Sequence, residues 1–410
     1  MSRRAVITGL GIVAPNGIGI DDFWKATTSG QLGIRTIENF DATRYPVSVA
    51  GEVPDFDAEG YVGRRLMAQT DRWTWMALAA AQLALTDADL DPTTQDPMSM
   101  SVITGSGTGG NEFGQKEIQN LWKDGPRFVG AYQSIAWFYA ATTGQLSIKH
   151  GVKGHSSVVA SDGISGLDAL SQAKRFIGRS LDTVIAGGTE APVSAYAIAC
   201  QLKTGMLSEQ ADPALAFRPF AASANGYVPG EGGAILIVEE AEAAARRGAA
   251  HTYAEIAGCA STFDAYHFAD PDPEGAQLAR SMRLALERAG VTADDVDVVF
   301  ADGAGTIVGD LAEAKAINAV FGGRSTPVPV TVPKSMVGRL YAGSGALDVA
   351  TAALAMRDGT IPPTVGIDSV ADGVDLDLVQ DARPATLSTV LVNARGIGGF
   401  NASLVLRTPQ

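Results

Sequence analysis

The sequence predicts an α/β protein of two related halves packed into one body. Three observations lead there. Short apolar runs suited to buried strands end at glycines and lead into helical segments. This alternation of strand, glycine turn and helix occurs early in the chain and again after the charged run EEAEAAARRG, 239–248. The composition is 46% hydrophobic and 19% charged, with 47 Gly among 410 residues, which suits a well-buried chain with many tight turns.

The elements follow in order. Val6-Ile7-Thr8 predicts a strand ended by Gly9 and Gly11. Residues 72–86, after Asp71, predict a helix that is apolar on most faces and therefore buried on most of them. Ser101-Val102-Ile103-Thr104 predicts a strand running into GSGTGG, 105–110, and Val184-Ile185-Ala186 another, ended by Gly187-Gly188. Ala234-Ile235-Leu236-Ile237-Val238 is a continuous apolar run fit for a sheet buried on both faces. In the second half, a helix over 276–289 precedes the strand DVVFA, 297–301, the turn DGAGT, 302–306, and a helix over 310–320. A helix over 345–357 and two strands around GIGG, 396–399, close the chain. No linker or low-complexity segment separates the halves.

Charge and composition exclude several classes. A net charge of −14 repels nucleic-acid phosphates, and Lys and Arg are scattered rather than gathered into a patch. No apolar run reaches about 18 residues, the length of a membrane span. The N-terminal run MSRRAVITGLG passes straight into a strand pattern rather than a signal-peptide core, so a cytoplasmic protein is expected. Cys200 and Cys259 form no disulfide framework, and His150, His155, His251 and His267 are not spaced as metal ligands. GSGTGG and TGLGIVAPNG match neither the P-loop nor the dinucleotide fingerprint. No metal and no cofactor are expected.

One turn carries the functional question. In VVASDGISGLDAL, 158–170, the run Val158-Val159-Ala160 stops at small residues and a helix begins near Ser165. A strand, a tight turn and a helix start make the usual seat of a nucleophile, with backbone N–H groups nearby for an oxyanion. Gly163, at the tip, has no side chain.

With these turns in view, the whole chain resembles the β-ketoacyl synthases of the thiolase fold. Four landmarks carry the resemblance: the turn at 158–170, RPFAASANGYVPGEGGA at 218–234, ADGAGTIVGD at 301–310 and PKSMVGRLYAGSGA at 333–346. It implies a layered α-β-α-β-α architecture, with an N-terminal half over 1–250 and a C-terminal half over 251–410. An active member needs a Cys at the turn and two His. The first His opens an H-G-T-G-T stretch, which here is Asp302-Gly303-Ala304-Gly305-Thr306. The second follows K-S-x-x-G, which here is Lys334 to Gly338 followed by Arg339. The resemblance thus makes Gly163, Asp302 and Arg339 vestigial positions, with Lys334 retained. Glycine cannot carry an acyl group, and a carboxylate at 302 repels a developing enolate. Asp302 and Arg339 are expected to pair, since a buried unpaired charge is costly.

AWFYAATTGQLSIKHG at 136–151, NGYVPGEGGAILIVEE at 225–240 and ARGIGGFNASLVL from Ala394 resemble one branch, the chain-length factors or ketosynthase-β subunits of type II polyketide synthases. Active synthases usually have an acid where this chain has Asn225, and many chain-length factors have Gln where it has Gly163, so no carboxamide is present there to assist malonyl decarboxylation. The resemblance implies a heterodimer, or a pair of heterodimers, with an active ketosynthase-α subunit. An acyl tunnel at the interface ends on the inactive subunit, whose gate sets polyketide length. The acyl carrier protein, typically acidic, is expected to dock mainly through the partner.

The gate positions correspond to Asn111, Gly114 and Ile118, on one face of a helix over 111–122, with Phe113 beside them. Their modest size implies an open tunnel for a long linear chain such as a polyene. Phe113, Trp122, Trp137, Phe138 and Tyr139 are read first as core packing, and second as interface or tunnel lining. The rival to a non-catalytic subunit is an acyltransferase of the same fold with a displaced nucleophile, drawn from Ser161, Ser165, Cys200 and Cys259. A second rival is a binding or scaffold protein.

Overall fold

The computed structural model describes residues 3–409. Met1, Ser2 and Gln410, the ends of the two halves as read from the sequence, lie outside them. In the first half, β1 (Ala5–Ala14) is followed by α1 (Arg72–Asp87), β2 (Met100–Gly105), α2 (Asn111–Asp124), β3 (Ser157–Val159), α3 (Ser165–Ile177), β4 (Thr183–Glu190) and β5 (Gly232–Glu240). The second half runs β6 (Ala254–Phe263), α4 (Ala276–Ala289), β7 (Val298–Phe300), α5 (Ile307–Phe321), β8 (Pro329–Thr331), α6 (Ala342–Asp358), β9 (Asp377–Leu378), β10 (Thr389–Gly396) and β11 (Phe400–Arg407).

The duplication read from the sequence is explicit in the strand order. The first half pairs as β3-β2-β4-β5-β1 and the second as β8-β7-β10-β11-β6, with β9 added at the edge. The senses match as well. The β2, β3 and β4 pairings are parallel, as are those of β7, β8 and β10, while the remaining two strands of each half pair antiparallel. The halves join at a short antiparallel contact of β1 with β6, Val6 opposite Glu255 and Ile7 opposite Ala254.

Both sheets are covered on both faces, which gives five layers. Side chains alternate along each strand. Val184 and Ala186 of β4 face a central core with α3 and α6, whereas Ile185 faces α1. In the second half, Val298 and Phe300 share that central core, while Val299 packs with α4 and α5 on the outer side. Helix α6 lies in the middle layer, and every residue from Ala342 to Ala355 is buried.

The glycines expected to stop β1 do not stop it. The strand runs through Gly9 and Gly11 because the backbone of α1 lies directly on them. A Cβ at Gly11 would sit 1.8 Å from the Ala80 carbonyl oxygen, and one at Gly9 would sit 2.2 Å from that of Ala84. Glycine here marks close approach, not chain reversal. Gly187 and Gly188 likewise lie inside β4. Among the described residues no helix is long and apolar enough to cross a membrane.

Substituting Gly11 with Ala forces α1 away from the sheet. The expected loss is about 1–3 kcal/mol, the usual cost of overpacking, read as a lower denaturant midpoint with an unchanged slope.

Candidate functional site

The duplicated topology brings three turns to one place. The turn after β3 carries Gly163, the turn after β7 carries Asp302, and the segment between β8 and α6 carries Lys334 and Arg339. Gly163, Asp302 and Arg339 line one cavity with Asp162, Tyr227, Tyr341 and Arg395.

Asp302 and Arg339 meet there as a two-pronged ion pair. Arg339 Nη1 donates to Asp302 Oδ2 at 3.0 Å and Nη2 to Oδ1 at 3.4 Å. Arg339 Nη2 also donates to the Arg395 carbonyl at 2.9 Å, and the Arg395 N–H donates to Asp302 Oδ1 at 3.1 Å. The guanidinium lies 5.8 Å from the centre of the Tyr227 ring. Burial opposes the Asp302 charge, but Arg339, Lys334 and Arg395 outweigh it and hold the carboxyl below its ordinary range. Lys334 is spent on structure: its ammonium donates to the Ala301 and Asp302 carbonyls, both at 3.1 Å, and pairs with Asp348 at 2.6 Å. Glu313 accepts from the N–H groups of Asp302 and Gly303.

The same network closes the empty turn. A Cβ at residue 163 would sit 2.6 Å from the Arg395 carbonyl oxygen, the atom that Arg339 holds. Asp162, at φ 50°, accepts the Ile397 N–H at 2.7 Å and so pins the 396–399 loop over the turn. The turn therefore has no side chain at 163, a Cβ there would meet backbone, and Asp302 and Arg339 neutralise each other.

Three of the displaced candidates, Ser161, Ser165 and Cys259, are hydrogen-bonded or buried elsewhere. Ser161 Oγ donates to Asp168 at 2.9 Å, and Ser165 Oγ accepts from the Ser161 N–H and donates to the Asp162 carbonyl. Cys259 is buried, and burial pushes its thiol up to about 12. Cys200 lines a second cavity, whose lining includes no histidine. His155 stacks on Phe176, and His267 Nδ1 accepts from Ala269 and Asp270 of its own loop. Among the described residues no three His, Cys, Asp or Glu side chains gather to hold a metal.

The second site lies on α2. Its start is tied to the core by two buried carboxylates. Glu190 accepts from the Gly107 N–H, the Thr108 N–H and the Thr108 hydroxyl, gathering the glycine loop. Asp71 caps α1 through the Trp73 N–H and accepts the Phe113 N–H at 2.7 Å. Burial pushes each carboxyl up to about 7.

Asn111, Gly114 and Ile118 line one cavity together with Gln133, Trp137 and Tyr196. Phe113 is not part of that lining. Gly114 faces Trp137, whose Cδ1 would lie 3.2 Å from a Cβ at 114, so the missing side chain makes room for the indole. The reading of the aromatics as core is corrected: Trp122 is 82% exposed and Phe138 53%, and Trp137 and Tyr139 are exposed too. Ile118 and Leu121 of α2 and Phe128 after it are exposed as well. Gln133 and Tyr196 carried no sequence signal, because only tertiary packing brings them to α2.

Comparison with known proteins supplies the family. Residues 2–244 match the β-ketoacyl synthase N-terminal domain and residues 253–368 the C-terminal domain. The tetracenomycin polyketide synthase ketoacyl synthase beta subunit of Streptomyces glaucescens is 52% identical over 404 residues, covering 98% of both chains. The actinorhodin polyketide putative β-ketoacyl synthase 2 of Streptomyces coelicolor is 47% identical over 403 residues, again covering 98% of both. Among solved structures, the ishigamide ketosynthase/chain length factor superposes with a TM-score of 0.92 at 28% identity, covering all of both chains. A type II polyketide synthase acyl-carrier protein in complex with its hexaketide-bound ketosynthase gives 0.91 at 28% identity, with the same coverage.

Two outcomes are expected here. Arg339→Met leaves Asp302 charged and buried and costs about 3–5 kcal/mol. Adding Asp302→Asn recovers part of that, so a double-mutant cycle by denaturant unfolding shows coupling well above about 0.5 kcal/mol. The Glu190 carboxyl is raised in the folded state, so its contribution is complete below the ordinary carboxylate range and is lost as pH rises through about 7. Glu190→Gln should remove up to about 1.4 kcal/mol per pH unit from the slope of stability between these limits.

Proposed function

The chain belongs to the β-ketoacyl synthase family, and from that premise we propose that it is a chain-length subunit that performs no chemistry itself and shapes the acyl tunnel of an active ketosynthase. The observation that carries this reading is the Arg395 carbonyl seated against Gly163 and held by the Arg339–Asp302 pair. The position that bears the acyl chain in active relatives is filled by backbone, and the two positions that act on it are bound to each other. Covalent catalysis has no atom to start from.

The apolar face around α2 is the surface offered to the ketosynthase partner. Its exposed Trp122, Phe128 and Phe138 are of the kind that gains most from burial in a stable interface. The two subunits form a heterodimer, or a pair of heterodimers. The growing chain sits on the partner's nucleophile and reaches across to the cavity of Asn111, Gly114 and Ile118. The volume left there by Gly114 and bounded by Trp137 sets how many extensions fit, and an open gate suits a long chain. The charge of −14 makes the partner the better dock for an acidic carrier protein.

The test uses the heterodimer with malonyl-loaded carrier protein. Intact-mass analysis should place acyl adducts on the partner alone. Gly163→Cys should gain none, since the new side chain meets the Arg395 carbonyl. Gly114→Phe should shorten the product by at least one extension, and Trp137→Ala should lengthen it. An adduct on the wild-type chain, or unchanged product length in both gate variants with the heterodimer intact, would overturn the reading.

A further inference from the structure

We propose that Gln133 reads the chemistry of the chain's far end, and that the gate takes an end bearing a keto, hydroxyl or amide group in preference to a hydrocarbon end. This rests on the chain-length reading of the same cavity and names the substrate class it admits.

The observation is an unpaired amide. Gln133 Oε1 is buried and has no hydrogen-bond partner among the described residues. The side chain lines the cavity of Asn111, Gly114 and Ile118. Its Nε2 lies 3.8 Å from where a Cβ at Gly114 would sit, so the amide borders the space that the missing side chain leaves open. A buried carbonyl without a donor is a standing cost, and most buried polar groups are paired. The cavity's own donors, Asn111, Tyr196 and the Trp137 indole N–H, whose Nε1 lies 4.0 Å from where a Cβ at Gly114 would sit, leave Gln133 Oε1 unbonded. The missing partner is therefore expected from whatever fills the cavity.

Chemistry selects among fillers. An alkyl or polyene end has no group for the amide and would seal it away from water, which raises the cost. As it stands, Nε2 borders the cavity and a keto oxygen accepts from it. If the amide turns over, Oε1 faces the cavity and a hydroxyl or amide end donates to it. Every oxygenated end can thus be matched by one rotation, and no hydrocarbon end can. Asn111 is shared with the next cavity, where Thr108, Gln201, Thr204 and Tyr341 stand beside Pro192, Ala197 and Cys200.

The discrimination expected of a site that hydrogen-bonds its ligand, here through one neutral bond, is about tenfold. The experiment offers the heterodimer an equimolar mixture of octanoyl- and 8-hydroxyoctanoyl-carrier protein with malonyl-carrier protein, and reads the ratio of extended products by mass spectrometry. Wild type should favour the hydroxylated chain about tenfold. Gln133→Leu, close to it in volume, should bring the ratio near one, and Gln133→Met serves if that variant does not fold. A wild-type ratio near one, or a preference unchanged by both substitutions, overturns the proposal. Loss of the partner on co-purification of both variants also overturns it, because the amide is then satisfied across the interface. Gly114→Phe is run in parallel. If it shortens the product while Gln133 variants leave the ratio alone, the end-reading fails and the chain-length reading stands. If product length is also unmoved, the chain-length reading itself falls.

Discussion

The arrangement of the central site depends on one guanidinium. Arg339 neutralises Asp302 with both prongs of its fork and, through Nη2, also holds the Arg395 carbonyl. A planar five-donor group can do both at once, which an ammonium could not do with the same fixed geometry. The consequence runs in two directions. The carboxylate keeps its charge inside the protein because a cation is fixed against it. The carbonyl, held in place, occupies the space of a side chain at 163. Loss of the nucleophile and closure of the space are thus one structural fact. Glycine at the turn is required by the packing, and the packing is secured by residues from two other turns.

Those turns meet because the chain repeats its topology. In each half three parallel strands lie side by side and the other two run antiparallel, in the same order. Ends of parallel strands point the same way, and a pair of such sheets facing each other across α3 and α6 places the turn after β3 opposite the segment after β8. The central layer is therefore the frame of the site. Helix α6 is rich in alanine and glycine and is buried along most of its length, so it brings the sheets close. Tyr341, at its start, adopts φ 49°, a conformation uncommon for a side chain of that size, and its hydroxyl meets that of Tyr227 at 3.0 Å beside the ion pair. Asp162, also at positive φ, lines the same cavity as Tyr341.

Much of this was legible in the sequence, and the parts that were not have a common cause. Strands such as Ala234–Val238 and helices such as 276–289 announce themselves through runs and periods within one segment. The vacancy at Gly163 and the exchange of residues at 302 and 339 are also local, once the turns are recognised. The carbonyl that fills the vacancy is not, since it comes from residue 395. Gly9 and Gly11 were read as ends because a glycine that admits a neighbouring helix looks, in one dimension, like a glycine that turns the chain. The aromatics from Trp122 to Tyr139 were read first as core because a core and an interface draw on the same side chains; exposure alone separates them, and exposure is a property of the fold. Gln133 and Tyr196 join α2 through tertiary packing, which no spacing rule reports.

The proposed gate differs from the Gly163 turn in how it is held. A cavity that measures length has to keep its shape against the chain pressing into it, yet its outer wall has to fit a second protein. The structure divides these demands along α2. Its first turn is fastened inward, by Asp71 to the Phe113 N–H and by Glu190 through the preceding loop, and Gln115 accepts the Tyr196 N–H at 2.9 Å. Its later turns, with Ile118 and Trp122, are left bare. Buried carboxylates that accept backbone N–H groups fix positions without filling volume, which is what a wall needs where the space behind it must stay empty. The apolar half can then adapt to the partner without moving Asn111 and Gly114. On the proposed reading the subunit governs the reaction by supplying a fixed volume at a fixed distance, and the chain stops growing where that volume is full.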